Sequence, residues 1–220
     1  MRNSLIAFVI LVILVQFDGY SQQDPQYTQY MYNTQVVNPA YAGNREVLSF
    51  GLLGRTQWVN IDGAPKTGTF TVNGPIGALA NMGLGLSVVH DELGPAVESN
   101  INVDYSYSLF FSGDSKLSFG LKAGIDVLDV DFTRLNIFDI SDPRFQNNID
   151  NKVQPQVGAG IYYNTERFYA GLSVPNFLTT KHFDESSLSA GSSSQSIAAE
   201  RLHYFLIMGY VFDLSDDVKF

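Results

Sequence analysis

The sequence predicts an all-β protein, an antiparallel transmembrane β-barrel of the outer membrane, and three observations predict it. From residue 46 onward apolar residues recur at every second position, which is the period of a strand and not of a helix. The polar face of that alternation holds mainly Gly, Ser, Asn and Gln, and only 16% of the chain is charged, against about 25% in an average soluble domain. From the fourth strand onward tight turns alternate with long connections, as in bacterial barrels with short periplasmic turns and longer outer loops. A soluble antiparallel sandwich puts its apolar face inward and displays many Lys and Glu outward. A soluble lipocalin-like barrel reverses the faces in the same way.

The chain opens with Met1-Arg2-Asn3, a short positive start, and continues with an unbroken apolar run from Leu5 to Val15. Gly19-Tyr20-Ser21 then places small residues at the −3 and −1 positions before Gln22. This is the three-part form of a secretory signal peptide, and the apolar run covers only about half of the roughly 20 residues a spanning helix needs. Residues 1–21 therefore read as a signal peptide, 22–45 as an N-terminal periplasmic segment and 46–220 as the barrel.

Strands follow in order. Val47 to Trp58 and Lys66 to Val72 alternate loosely, and Met82 to Val88 more clearly. In Asn100 to Phe111 the residues Ile101, Val103, Tyr105, Tyr107, Leu109 and Phe111 oppose Asn100, Asn102, Asp104, Ser106 and Ser108. In Lys116 to Val127 the residues Leu117, Phe119, Leu121, Ala123, Ile125 and Val127 oppose Ser118, Gly120, Lys122, Gly124 and Asp126. Gln156 to Tyr163, Arg167 to Val174 and Leu202 to Phe212 complete about eight strands. Tyr sits near several strand ends, as an interfacial girdle requires.

Tight turns fall at Ser112-Gly113-Asp114, Asn164-Thr165-Glu166 and Leu214 to Asp217. Long connections run from Phe132 to Lys152 and from Pro175 to Glu200, the second with a serine-rich tract at Ser186 to Ser194. Val218-Lys219-Phe220 reads as the start of a ninth strand. A single-chain bacterial barrel has an even number of strands and no free edge in lipid, so the expectation is a barrel truncated at its C-terminus.

No catalytic, cofactor-binding or metal-binding residue stands out. The absence of cysteine excludes disulfides, thiolate metal sites and a cysteine nucleophile. A net charge of −9 with 13 Lys and Arg argues against nucleic acid as a partner, since phosphate contacts need clustered cations. His90, His182 and His203 lie far apart without metal-ligand spacing. Asp126, Asp129, Asp131, Asp139, Asp142 and Asp150 form the densest carboxylate group. They lack the glycine and terminal glutamate of a calcium-binding EF-hand loop and read as part of a solvated outer loop. No G-x-S-x-G, phosphate loop or HExxH is present. The expectation is a protein without cofactor or enzymatic activity.

One pattern is more specific. Gln23-Asp24-Pro25-Gln26-Tyr27-Thr28-Gln29-Tyr30-Met31-Tyr32-Asn33 is followed by Asn38-Pro39-Ala40-Tyr41-Ala42-Gly43. Further along stand Arg55-Thr56-Gln57-Trp58, Asp142-Pro143-Arg144-Phe145 and the strand end Phe168 to Asn176. These elements resemble the PorP/SprF family of the type IX secretion system of Bacteroidota. The resemblance implies a non-enzymatic outer-membrane accessory protein that assists export or cell-surface attachment of specific secreted proteins such as gliding adhesins. Its partners would be outer-membrane lipid, other type IX secretion components and a secreted cargo protein. The motif residues Tyr27, Tyr30, Tyr32, Asn38, Pro39, Tyr41, Arg55 and Trp58 then become candidates for partner binding. Packing of the tyrosine-rich segment against the barrel is the plainer alternative. Trp58 suits a membrane interface, and Arg55 suits an ion pair in the lumen. An outer-membrane channel or hydrophobic-solute transporter fits the barrel pattern as well. A small-barrel lipase would need a Ser/His pair or carboxylate dyad that is not legible.

Overall fold

The computed structural model describes residues 30–77, 81–111, 115–134, 148–178, 202–215 and 218–219. It is all-β, with eight antiparallel strands forming a curled half-barrel. The strands are β1 (Ser49–Thr56), β2 (Lys66–Ile76), β3 (Met82–Leu93), β4 (Ala96–Phe111), β5 (Ser115–Val130), β6 (Ile149–Asn164), β7 (Phe168–Val174) and β8 (Phe205–Tyr210). Each pairs with the next in sequence, so the sheet is a simple meander. Among the described residues β1 pairs only with β2 and β8 only with β7, which leaves the sheet open. Asp213–Ser215 (β9) and Val218–Lys219 (β10) pair with each other as a separate small ribbon. No described helix is long and apolar enough to cross a membrane, which says nothing of a β-barrel.

The burial is inverted relative to a soluble domain. Ile101, Val103, Tyr105, Tyr107 and Leu109 of β4 are exposed, while Asn102, Asp104, Ser106 and Ser108 between them are buried. On β5 Phe119, Leu121 and Ile125 are exposed, and Lys116, Ser118, Lys122 and Asp126 are buried. On β2 a ladder of Thr67, Thr69, Thr71 and Asn73 faces inward. The convex face is thus apolar and the concave face polar. The apolar stretches Ile101–Phe111 and Leu117–Val127 match the roughly 9–11 residues a tilted strand needs to cross a bilayer. Phe111, Tyr163, Phe168, Tyr210 and Phe212 gather at one end of this band, with Tyr163–Phe168 and Tyr210–Phe212 ring centroids 6.4 Å and 4.8 Å apart.

Several boundaries differ from the sequence expectation: β2 runs on to Ile76, β3 to Leu93 and β5 to Val130, β8 is confined to Phe205–Tyr210, and two strands start earlier. β4 starts at Ala96 instead of Asn100, because a tight turn at Gly94-Pro95, with Gly94 at φ 58°, closes the β3–β4 hairpin. β6 starts at Ile149, so the connection from Phe132 to Lys152 is shorter than expected. These added strand residues lie beyond the apolar band, where neither face has to be apolar and alternation fades. Asp126 lies in β5, as the strand pattern of Lys116 to Val127 requires, and Asp129 in β5 and Asp150 in β6 also lie in strands, not in a solvated loop. Asp126 is buried on the concave face. Asp139 and Asp142, like the expected signal peptide at 1–21, the serine-rich tract, His182 and Tyr27, fall outside the described residues.

The hollow of the half-barrel is filled by the chain itself. Residues 30–46 form a 3₁₀ turn (Tyr30–Tyr32), a single helical turn α1 (Thr34–Val37) and a second 3₁₀ turn (Pro39–Tyr41). Pro39 opens that last turn, a position where its missing N–H costs nothing, and the Asn38 Oδ1 caps it by accepting from the Ala40 N–H at 3.0 Å. Gly43, at φ 69°, turns the chain toward β1 and lies against the backbones of Gly74 and Gly83, where a side chain has no room. The described part of the N-terminal segment is thus packed on the concave face, as in the packing alternative given above.

Candidate functional site: a plug on the polar concave face

The plug is held by side chains that reach from the strands to its main chain. Lys122 Nζ donates to the Val36 carbonyl at 2.5 Å, and Ser173 Oγ to the Val37 carbonyl at 2.7 Å. Ser106 Oγ donates to the Ala42 carbonyl at 2.6 Å, and Lys116 Nζ to the Asn44 carbonyl at 3.0 Å. Asn73 Oδ1 accepts from the Gly43 N–H at 3.1 Å. A short helical or 3₁₀ turn leaves its last carbonyls without internal partners, and these strand side chains supply them.

Two plug side chains are read individually. Gln35 Nε2 donates to Asp104 at 3.0 Å, and its Oε1 accepts from Asn73 Nδ2 at 2.9 Å. Asn38 Nδ2 donates to the Ile161 carbonyl of β6 at 3.1 Å. Gly85, Gly120 and Gly160 make room: a Cβ at these positions would overlap the Gln35 amide, the Ala40 backbone and the Asn38 side chain, respectively. At the centre Asp104 and Lys122 form an ion pair at 3.6 Å, with side chains 0% and 2% exposed. Lys122 thus bridges a strand carboxylate and a plug carbonyl. Two charges removed from water in this way persist only when paired and hydrogen-bonded.

The polar face continues past the plug. Asn73, Gly85 and Asp104 lie side by side across β2, β3 and β4, and Gln35 sits on that row. The next row outward is Thr71, Ser87 and Asn102. Ser87 Oγ and Asn102 Oδ1, in residues 0% and 3% exposed, have no hydrogen-bond partner among the described residues.

The motif residues separate into two groups. Tyr30, Asn38, Pro39 and Tyr41 meet on the concave face. Tyr30 packs on Phe205 with ring centroids 5.9 Å apart, and Tyr41 meets Tyr162 edge-on at 5.4 Å. Asn38 and Pro39 are fully buried, whereas Tyr32 is exposed. Arg55 and Trp58 lie at the far end of β1. Arg55 faces the concave side and is half-buried. Among the described residues no carboxylate comes within 4.0 Å of it. Trp58 is exposed in the β1–β2 turn at φ 48°.

No metal-holding group of three His, Asp or Glu occurs among the described residues. His90 lies on the convex side with its Nδ1 2.9 Å from Ser99 Oγ. Beyond the apolar band, Asp131 accepts from the Thr133 hydroxyl at 2.6 Å and the Asn148 amide at 3.2 Å. The Thr133 hydroxyl bond, with help from the Thr133 N–H, Asn148 and Arg134, holds its carboxyl below the ordinary 3.8.

Sequence reasoning missed Gln35, Asn73, Ser106, Lys116, Ser173 and the Asp104–Lys122 pair. A signal for the pair was present. A hairpin symmetric about position 113 sets Asp104, nine residues before it, opposite Lys122, nine residues after it.

No curated protein and no solved structure matches the chain. A family model does, over residues 19–220, described as type IX secretion system membrane protein PorP/SprF. That stretch takes in the plug motif and every strand of the half-barrel, and the chain belongs to this PorP/SprF family.

Proposed function

We propose that the protein is a non-enzymatic accessory of the type IX secretion system, seated in the outer membrane after export by its N-terminal signal peptide. It assists export or cell-surface attachment of specific secreted proteins such as gliding adhesins. Membership of the type IX secretion membrane family over residues 19–220 is the observation that carries this reading. The inverted burial supports placement in a membrane, and the apolar run at Leu5 to Val15 supports export. The mechanism is binding: the lumen or the outer loops hold a cargo's C-terminal region as it leaves the translocon. The plug supports this over passive conduction, because its main chain fills the polar face that an open channel would leave to water.

The experiment is deletion of the gene, followed by quantification of secreted and surface-displayed proteins by mass spectrometry and surface labelling. Loss of one or a few cargo proteins, restored by the wild-type gene, is expected. Unchanged export and display of every type IX cargo would overturn the reading.

A further inference from the structure

We infer that the concave face of β2 to β7 is a peptide-binding groove, that residues 33–44 are its resident ligand, and that a peptide supplied in trans can take their place. The ligand class is a peptide with a Gln-x-x-Asn-Pro-small turn.

Three features lead there. First, five strand side chains address the segment's main chain: Lys122, Ser173, Ser106 and Lys116 donate to carbonyls, and Asn73 accepts from an N–H. Contacts of that kind depend on the path of a chain and tolerate many side chains, as in other modes of peptide capture. Sequence is read at three points: Gln35, Asn38, and Ala40, where the close approach of Gly120 leaves space for a small residue.

Second, the segment is tethered by an exposed stretch. Arg45, Glu46, Val47 and Leu48 are all exposed, so the plug is joined to β1 by solvent-facing chain that touches the sheet through the Glu46–Lys116 ion pair at 3.3 Å and the approach of Leu48 to Gly74. Its covalent attachment raises the effective concentration of the plug at the groove.

Third, in the resident state the row beside Gln35 is covered without being satisfied. Ser87 and Asn102 present buried oxygens without partners in the row beside Gln35. A buried acceptor left unpaired costs free energy. An incoming peptide with an N–H donor at that row gains bonds that the resident does not make, which gives it a means of displacing the plug.

The binding chemistry stands apart from the secretion role, and its test is made in vitro. A protease site is inserted between Glu46 and Val47 of the full chain, and the protein is extracted from membranes in mild detergent and cleaved. A fluorescent synthetic peptide of residues 30–46 is added and its anisotropy followed. Saturable binding is expected, competed by unlabelled peptide. An Asn38→Leu peptide should bind about tenfold more weakly, the equivalent of one lost hydrogen bond to a buried partner. Uncleaved protein should take up the labelled peptide far more slowly. Absence of uptake by cleaved protein that keeps its folded gel mobility would show a permanent structural element and overturn the inference. Equal binding of the Asn38→Leu peptide would overturn it too, as adhesion without recognition. Either failure leaves the secretion reading intact, because the gene-deletion experiment does not depend on exchange.

Discussion

Lys122 ties the plug to the buried charge pair of the sheet. Its ammonium lies between Asp104 and the Val36 carbonyl, and neither charged group reaches water. Removing one partner of such a pair leaves an uncompensated buried charge, at a cost of about 3–5 kcal/mol. Lys122→Met should therefore destabilise the folded protein by about that much, measured by denaturant unfolding in detergent micelles. Asp104→Asn combined with Lys122→Met should restore much of the loss, since no charge then remains buried. A double variant no more stable than the single one would show that Lys122 acts through its bond to Val36 instead. That the two residues share a polar face is legible in the alternation of β4 and β5. That they face each other follows from the hairpin symmetry. The third partner, a carbonyl from a segment 86 positions away, is not legible, because main-chain groups leave no trace in residue type.

At the scale of elements, the glycines of the concave face are the imprint of the plug. Gly in a strand interior weakens it unless another backbone needs the space. Gly120 is in that situation: a Cβ there would overlap Pro39 and Ala40. Gly120→Val replaces a poor strand former by a good one while filling the plug's seat. The expected result is a sheet that persists and a plug that leaves it. Limited proteolysis should cut within residues 30–46 of the variant and spare them in the wild type, with the strand signal in circular dichroism unchanged. Equal protection in both proteins would sink the assignment of Gly120 as a plug contact. The strands themselves were readable because their alternation is forced by two different surroundings. That the tyrosine-rich segment packs against the barrel is the plainer expectation, but its path is not legible, because its seventeen residues have no period and its turns are stabilised by partners on the strands. Its composition gave only tyrosines, an Asn-Pro start signal and a glycine. All three proved to be turn and packing residues, with Tyr32 alone among the described tyrosines of the motif left exposed.

At the scale of the whole molecule, the inside-out arrangement makes a claim about the surrounding solvent. Leu121 is 63% exposed in the middle of the convex band, between exposed Phe119 and Ile125. If that band faced water, a charge at Leu121 would be neutral or would improve solubility, as most exposed substitutions are mild. In a bilayer an arginine at the midplane of a barrel costs about 2–4 kcal/mol, falling to about 0–1 near the interface. Leu121→Arg and Phe168→Arg therefore form a depth pair, since Phe168 stands in the aromatic cluster at the band's edge. Folding of each variant into phosphatidylcholine vesicles, followed by denaturant titration, should place the Leu121 variant at least about 1 kcal/mol below the Phe168 variant. Equal costs at both depths would mean that the convex face is not graded by a membrane, and the apolar band would then need another protein surface to cover it.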